Sequence, residues 1–156
     1  MPEAIFEATF LDPAVIAARL TAKVPALRKV GTARDLANAT VETVQAPTAW
    51  VVIMSEAAGD VRYEICDVIE QLVTVRFGVI LAVRDIADRT GTAAREDLKP
   101  IRIEVLKALG SWMPEGANHN CRFSRGALTS GIGRDGMMFW QDEFTIGFDR
   151  RTILEA

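Results

Sequence analysis

Few residues in this 156-residue chain are of a kind that does chemistry. There is one histidine, His119, and there are two cysteines, Cys66 and Cys121. His119 and Cys121 stand two positions apart, and a thiol beside an imidazole is the material of a nucleophile and its base, or of two metal ligands. Alternate positions on a strand, however, point the same way without facing each other for proton transfer. The pair therefore reads as structural. Acidic pairs occur at Glu96-Asp97 and Asp142-Glu143, with Asp67 and Glu70 near each other in sequence. Paired carboxylates suit general acid–base work or a hard cation, but solvated surface charge is the better reading for most of them. Asp142 is the exception, for a reason that comes from its strand. Gly131-Ile132-Gly133-Arg134-Asp135-Gly136 matches G-x-G-x-x-G letter for letter. A dinucleotide site needs a helix after those glycines, and here a strand-patterned segment follows. A glycine-rich hairpin loop with Asp-Gly turn chemistry is the simpler account.

Composition narrows the field in the same direction. Eighteen Lys+Arg against 21 Asp+Glu leave a net charge of −3, with 49% hydrophobic and 25% charged residues. The balance provides no global basic field for nucleic-acid binding. One histidine is little material for zinc, for imidazole acid–base chemistry or for a triad. The length fits one domain, of the size that folds without disulfide or metal staples. The first ten residues carry two glutamates and no Lys or Arg, unlike a secretory signal. No apolar run approaches the roughly 20 residues that span a bilayer. Cys66 and Cys121 accordingly read as free thiols, and Asn38-Ala39-Thr40 as a chance match to the glycosylation pattern.

These residues need elements to hold them. Asp12-Pro13 is a helix start, an N-cap acceptor before proline at the first helical position, and Ile16, Ala17, Leu20 and Val24 fall on one face up to Pro25. A short strand over 27–30 follows. Gly31-Thr32 then opens a second helix, with Thr32 and Asp35 as a capping box. Pro47 precedes an apolar strand from Trp50 to Met54, residues 55–60 read as a loop, and 62–70 are ambiguous between helix and strand. Residues 71–84 alternate without a break, with Val73, Val75, Phe77, Val79, Leu81 and Val83 on one face. Gly78 in the middle suggests a bulge or bend. A polar loop over 85–91 leads to a helix over 93–109, whose Ala94, Leu98, Ile101, Val105 and Leu109 share a face. Pro100 marks either a kink or the start of its regular part. Gly110 closes it and Pro114 prevents its continuing. After a loop over 115–120, residues 122–128 and 137–148 read as strands. In the second, Met138, Trp140, Phe144, Ile146 and Phe148 share a face. Asp142 falls on that apolar face, so a bulge or a functional contact is expected at Asp142-Glu143. The sum is a single α+β domain, a mostly antiparallel sheet with helices packed on one face.

On the 93–109 helix, Arg95, Lys99 and Arg102 lie within about 60° of one another. Ile103 sits roughly 160° from the core centre and is expected to be exposed. An exposed isoleucine among charges is what a subunit interface tends to show.

Several strings in order resemble a known family. They are the N-terminal amphipathic helix leading to Leu27-Arg28-Lys29-Val30-Gly31, then Val79-Ile80-Leu81-Ala82-Val83-Arg84, then Gly91. Next come Ala108-Leu109-Gly110-Ser111-Trp112-Met113-Pro114 and finally Phe139-Trp140-Gln141-Asp142-Glu143-Phe144. The set is similar to the tail terminator (tail completion) proteins of tailed bacteriophages, particularly the Mu-like group, across most of the chain. The resemblance implies a small α+β structural protein that catalyses nothing and uses no cofactor. It implies a ring, expected to be a hexamer, that caps the head-proximal end of the tail tube and offers a surface to the head–tail connector. The implied partners are other copies of the chain, the tail tube protein and the connector protein. Neither nucleic-acid sequence recognition nor a membrane has a part. The implied place is the virion tail, with assembly in the host cytoplasm.

A ring of identical subunits needs two different complementary patches. The mixed face of 71–84, with Arg76 and Arg84, is a candidate wall of the ring. Arg95, Lys99, Arg102, Ile103 and Asp142 complete the candidate interface set. Two other readings stay open: a neck or head-completion protein, and a small carboxylate-based hydrolase or ligand-binding domain centred on Asp142.

Overall fold

The structure is a computed structural model. It describes residues 10–39, 45–65, 67–84, 92–130 and 137–153, without the side chains of Tyr63, of 92–97 and of Ser130. The elements in chain order are α1 (Pro13–Lys23), β1 (Lys29–Thr32), α2 (Ala33–Asn38), β2 (Thr48–Ile65), β3 (Val68–Arg84), α3 (Thr92–Gly110), β4 (Arg122–Ser130) and β5 (Met137–Ile153). The five strands form one sheet in the order β1-β2-β3-β5-β4. Only β1 and β2 pair in parallel, and the other neighbours are antiparallel. The fold is α+β, as the periodicities imply.

Alternation in β3 sets the two faces of the sheet. Val73, Val75, Phe77, Val79, Leu81 and Val83 are all buried in the main core, under Ile16 and Leu20 of α1, Val24 just after it, and Leu98, Ile101, Val105 and Leu109 of α3. Each such side chain contributes about 1.5–3 kcal/mol by leaving water. Phe77 and Phe144 are register partners and stack at 5.4 Å, and Phe123 of β4 meets Phe144 edge-on at 6.0 Å. The two long helices are tied together as well: Arg19 donates from Nε to the Ala108 carbonyl (3.1 Å) and lies over the Trp112 ring. The opposite face has a smaller apolar cluster, Trp50, Ala82 and Met137, against which Leu36 of the short α2 packs. Among the described residues no helix lies on the middle of that face.

The helix starts follow their sequence signals. Asp12 accepts from the Ala14 amide at 2.9 Å. At α2 the Thr32 amide donates to Asp35 Oδ2 at 2.8 Å, and that bond holds the Asp35 carboxyl below its ordinary range. α3 runs without interruption through Pro100, which is exposed.

Several expectations need correction or completion. Residues 55–60 are strand, because β2 continues through them to Ile65 and pairs with β3 along its length. Small and polar residues there look like a loop, but the ladder is made by backbone, which composition does not report. The ambiguous 62–70 is mostly strand, the end of β2 up to Ile65 and the start of β3 from Val68. The bulge expected at Gly78 lies on the partner strand instead. Ile53 pairs with Phe77 and Ser55 with Arg76, leaving Met54 as the extra residue. A Cβ on Gly78 would stand 3.2 Å from Met54 Sδ, so the glycine makes room for the bulged side chain. Likewise β5 has no bulge at Asp142-Glu143. It pairs with β3 in unbroken register, and the irregularities fall on β4, between Phe123 and Arg125 and between Leu128 and Ser130. Strand boundaries also move: β1 starts two residues later than expected, and β5 runs on to Ile153. The expected 85–91 loop, Cys66, Thr40 and the glycine-rich 131–136 lie outside the described residues. The strands joined by 131–136 are antiparallel neighbours.

Candidate functional site

The pleat sends Asp142 toward the helices and Glu143 to the opposite face. Asp142 has zero exposure. It lies in a cross-strand row with Val79 of β3 and Gly126 of β4. Burying a carboxylate in such a row is costly unless its oxygens are paired. Arg102 descends from α3 to do this, with Nη2 at 2.7 Å from Oδ1 and Nε at 3.0 Å from Oδ2. The Trp140 indole donates to Oδ1 at 2.9 Å, and the guanidinium lies 4.6 Å from the Trp140 ring centroid. Gly126 gives this arrangement its space: a Cβ there would come within 2.7 Å of Asp142 Oδ1 and 2.9 Å of Arg102 Nη2. The contact expected at Asp142 exists, and it is an internal ion pair that fastens α3 to β5.

The remaining candidates divide between surface and interior. Lys99 is exposed, and Ile103 is 41% exposed as its helical phase requires. Arg102 has turned from that surface toward Asp142, leaving 27% of its side chain accessible. Arg95 lies in α3, but its side chain is outside the described residues. Arg76 is exposed on the open face of β3, and Arg84 is half-buried at the end of that strand, opposite Met137. Of the seven candidates, Arg102 and Asp142 are brought together.

Two arginines escaped the sequence reading. Arg122 and Arg125 of β4 pair with Thr145 and Glu143 of β5, and Thr145 pairs with Arg76. Residues directly opposite each other share a face, so all three arginines stand on the open face. Strict alternation would put Arg122 and Arg125 on opposite faces. The irregularity between Phe123 and Arg125 brings them to the same one, and no local sequence signal announces it. Glu143 among them is 8% exposed. Its Oε1 accepts from Gln141 at 3.0 Å, while its Oε2 is buried without a hydrogen-bond partner.

The groups that suggested catalysis are placed otherwise. Cys121 is buried in the main core, and burial pushes its thiol up to about 11, so it is protonated and unreactive near neutrality. His119 contacts the Asn120 carbonyl through Nδ1 at 2.7 Å. Among the described residues no group of three or more His, Cys, Asp or Glu is placed to hold a metal. A cleft of about 390 Å³ lies beside α2, and the one carboxylate among the described residues that line it, Asp35, is already engaged in capping that helix. No helix among the described residues is long and apolar enough to cross a membrane.

A scaffold of this topology, with its buried acid occupied in packing, points to a part that works by contact. The model of one protein family, the phage tail terminator proteins, matches residues 6–154. The chain belongs to the phage tail terminator family. Comparison with curated proteins found no match. The match spans nearly the whole of this terminator chain, so it covers both the Arg102–Asp142 lock and the open face with its three arginines. Membership makes the protein a structural component of the phage tail, located in the virion tail, and points away from enzymatic activity.

Proposed function

We propose that this terminator forms a ring on the head-proximal end of the tail tube, stops tube growth there and offers the connector its docking surface. The family match over residues 6–154 carries this reading. The ring is a hexamer in this reading, assembled in the host cytoplasm, and the protein acts through its contacts without catalysis. Two features of the fold support it. The Arg102–Asp142 pair fastens α3 to the sheet, and the middle of the open face, without a helix among the described residues, leaves a broad surface for a neighbour. The test is to add the purified protein to polymerising tail tube protein and image the products. Tubes capped at one end by a ring, with growth stopped, are expected. Binding to capsid portals but never to tubes would overturn the reading in favour of a neck or head-completion role.

A further inference from the structure

We infer that the open face of the sheet is the seam between copies of this chain, and that the acidic tip of the β2–β3 hairpin of one copy docks on the Arg76, Arg122 and Arg125 face of the next. This rests on the ring reading and assigns its two complementary patches.

The basic patch is built by register. Arg76, Thr145 and Arg122 form one cross-strand row, and Glu143 and Arg125 stand in the next. All three arginines are exposed, and none makes an ion pair. The carboxylate among them is buried and leaves the positive charge dominant. Met54 adds 41% of its surface to the same face, an apolar contact beside the charges. Both long helices lie across the other face, and among the described residues the helix on this one is the short α2, packed at the Trp50–Met137 end away from the arginines.

The acidic patch is at the far end of β3. The hairpin's cation Arg62 is taken by Asp149 at 2.9 Å, and Glu70 is taken by Arg151 at 3.2 Å. What remains free at the tip is Asp60, Glu64 and Asp67, all exposed and none in an ion pair. Val61 and Ile65 are exposed between them, which gives the tip an apolar element to set against Met54. Three free cations at one place and three free anions at another are charge-complementary.

The two patches cannot meet within one chain. Along β3, at roughly 3.3 Å per residue, Val68 at the turn is about 26 Å from Arg76, and even Asp60, between the Ala58–Val73 and Val61–Gln71 pairs, is about 13 Å away. The contact is therefore between copies. Because it joins two different patches it is heterologous, the kind of contact that closes into rings by rotation. Charged patches of this kind steer association and weaken as salt rises.

The test reverses each patch. One variant carries Arg76→Glu, Arg122→Glu and Arg125→Glu, and the other carries Asp60→Lys, Glu64→Lys and Asp67→Lys. Sedimentation velocity at low salt reads assembly, and circular dichroism reads the fold. Wild type is expected to form closed oligomers, and each folded variant alone to associate at least about tenfold more weakly. Mixing the two variants restores assembly, since each acidic face then meets a basic tip and each basic face an acidic tip. If the folded variants assemble like wild type, the seam lies elsewhere and the ring reading survives. If both are monomeric and the mixture stays so, the pairing is overturned, and these patches serve the tube or the connector. A wild-type chain that is monomeric at millimolar concentration also overturns it. Tube capping, which needs no free ring, then decides the ring reading separately.

Discussion

Asp142 and Glu143 are adjacent in β5, yet they live in different surroundings. Asp142 lies under α3, with every oxygen engaged by Arg102 or Trp140. Glu143 lies on the uncovered face, with one oxygen held by Gln141 and the other unpaired. The helix-covered face has satisfied its buried charge internally, and the open face has not. The difference separates what holds the subunit together from what it can offer to others.

The comparison breaks most visibly if the covered pair is cut. Asp142→Ala leaves the Arg102 guanidinium and the Trp140 indole without their acceptor, and should cost about 3–5 kcal/mol of stability, measured by urea denaturation. A loss under about 1 kcal/mol would mean that the pair is as dispensable as a surface bridge.

The covered face is also sensitive to pH through Cys121. Its folded thiol titrates near 11 against an ordinary 9.0. Above pH 9 the unfolded chain loses this proton first, so stability is full below pH 9 and falls as pH rises toward 11. The expected loss is roughly 2 kcal/mol. It appears as the difference in pH slope between wild type and Cys121→Ala.

Gly126→Ala probes the same lock by crowding it. Its Cβ would press on Asp142, Arg102 and Trp140, an overpacking expected to cost about 1–3 kcal/mol, read as a lowered thermal midpoint.

On the open face, Glu143→Gln should shift stability by less than about 1 kcal/mol. It removes a charge whose second oxygen makes no bond, and Gln141 can still pair with the new amide. The same denaturation measurement checks it. A loss as large as that of Asp142→Ala would erase the distinction between the two faces.

Much of the covered face was legible in the sequence. The alternation of 71–84, the Asp12-Pro13 start and the Leu98, Ile101, Val105 stripe each depend on near neighbours. Asp142 was legible as an anomaly for the same reason, since it interrupts an apolar series. Its partner was not, because Arg102 reaches it across 40 residues and looked like part of a solvated stripe. The open face was legible only in part. Arg76 followed from alternation, whereas Arg122 and Arg125 share its face through an irregular register in β4. The second half of β2 was misread as loop because Ser55 to Asp60 offers no apolar pattern, and its pairing is a property of β3 opposite.

The strand order has a consequence for how the subunit comes into being. β5 follows every other element in the chain, yet it lies between β3 and β4. Until it is inserted, β3 has a single neighbour and β4 has none. The arginine rows, the Asp142 lock and the three-phenylalanine stack all wait for that insertion. Such non-local pairing is a slow step, and the arginine face waits on it as a whole. A half-made chain can form the β2–β3 tip, but it has no arginine face in register to offer a finished copy.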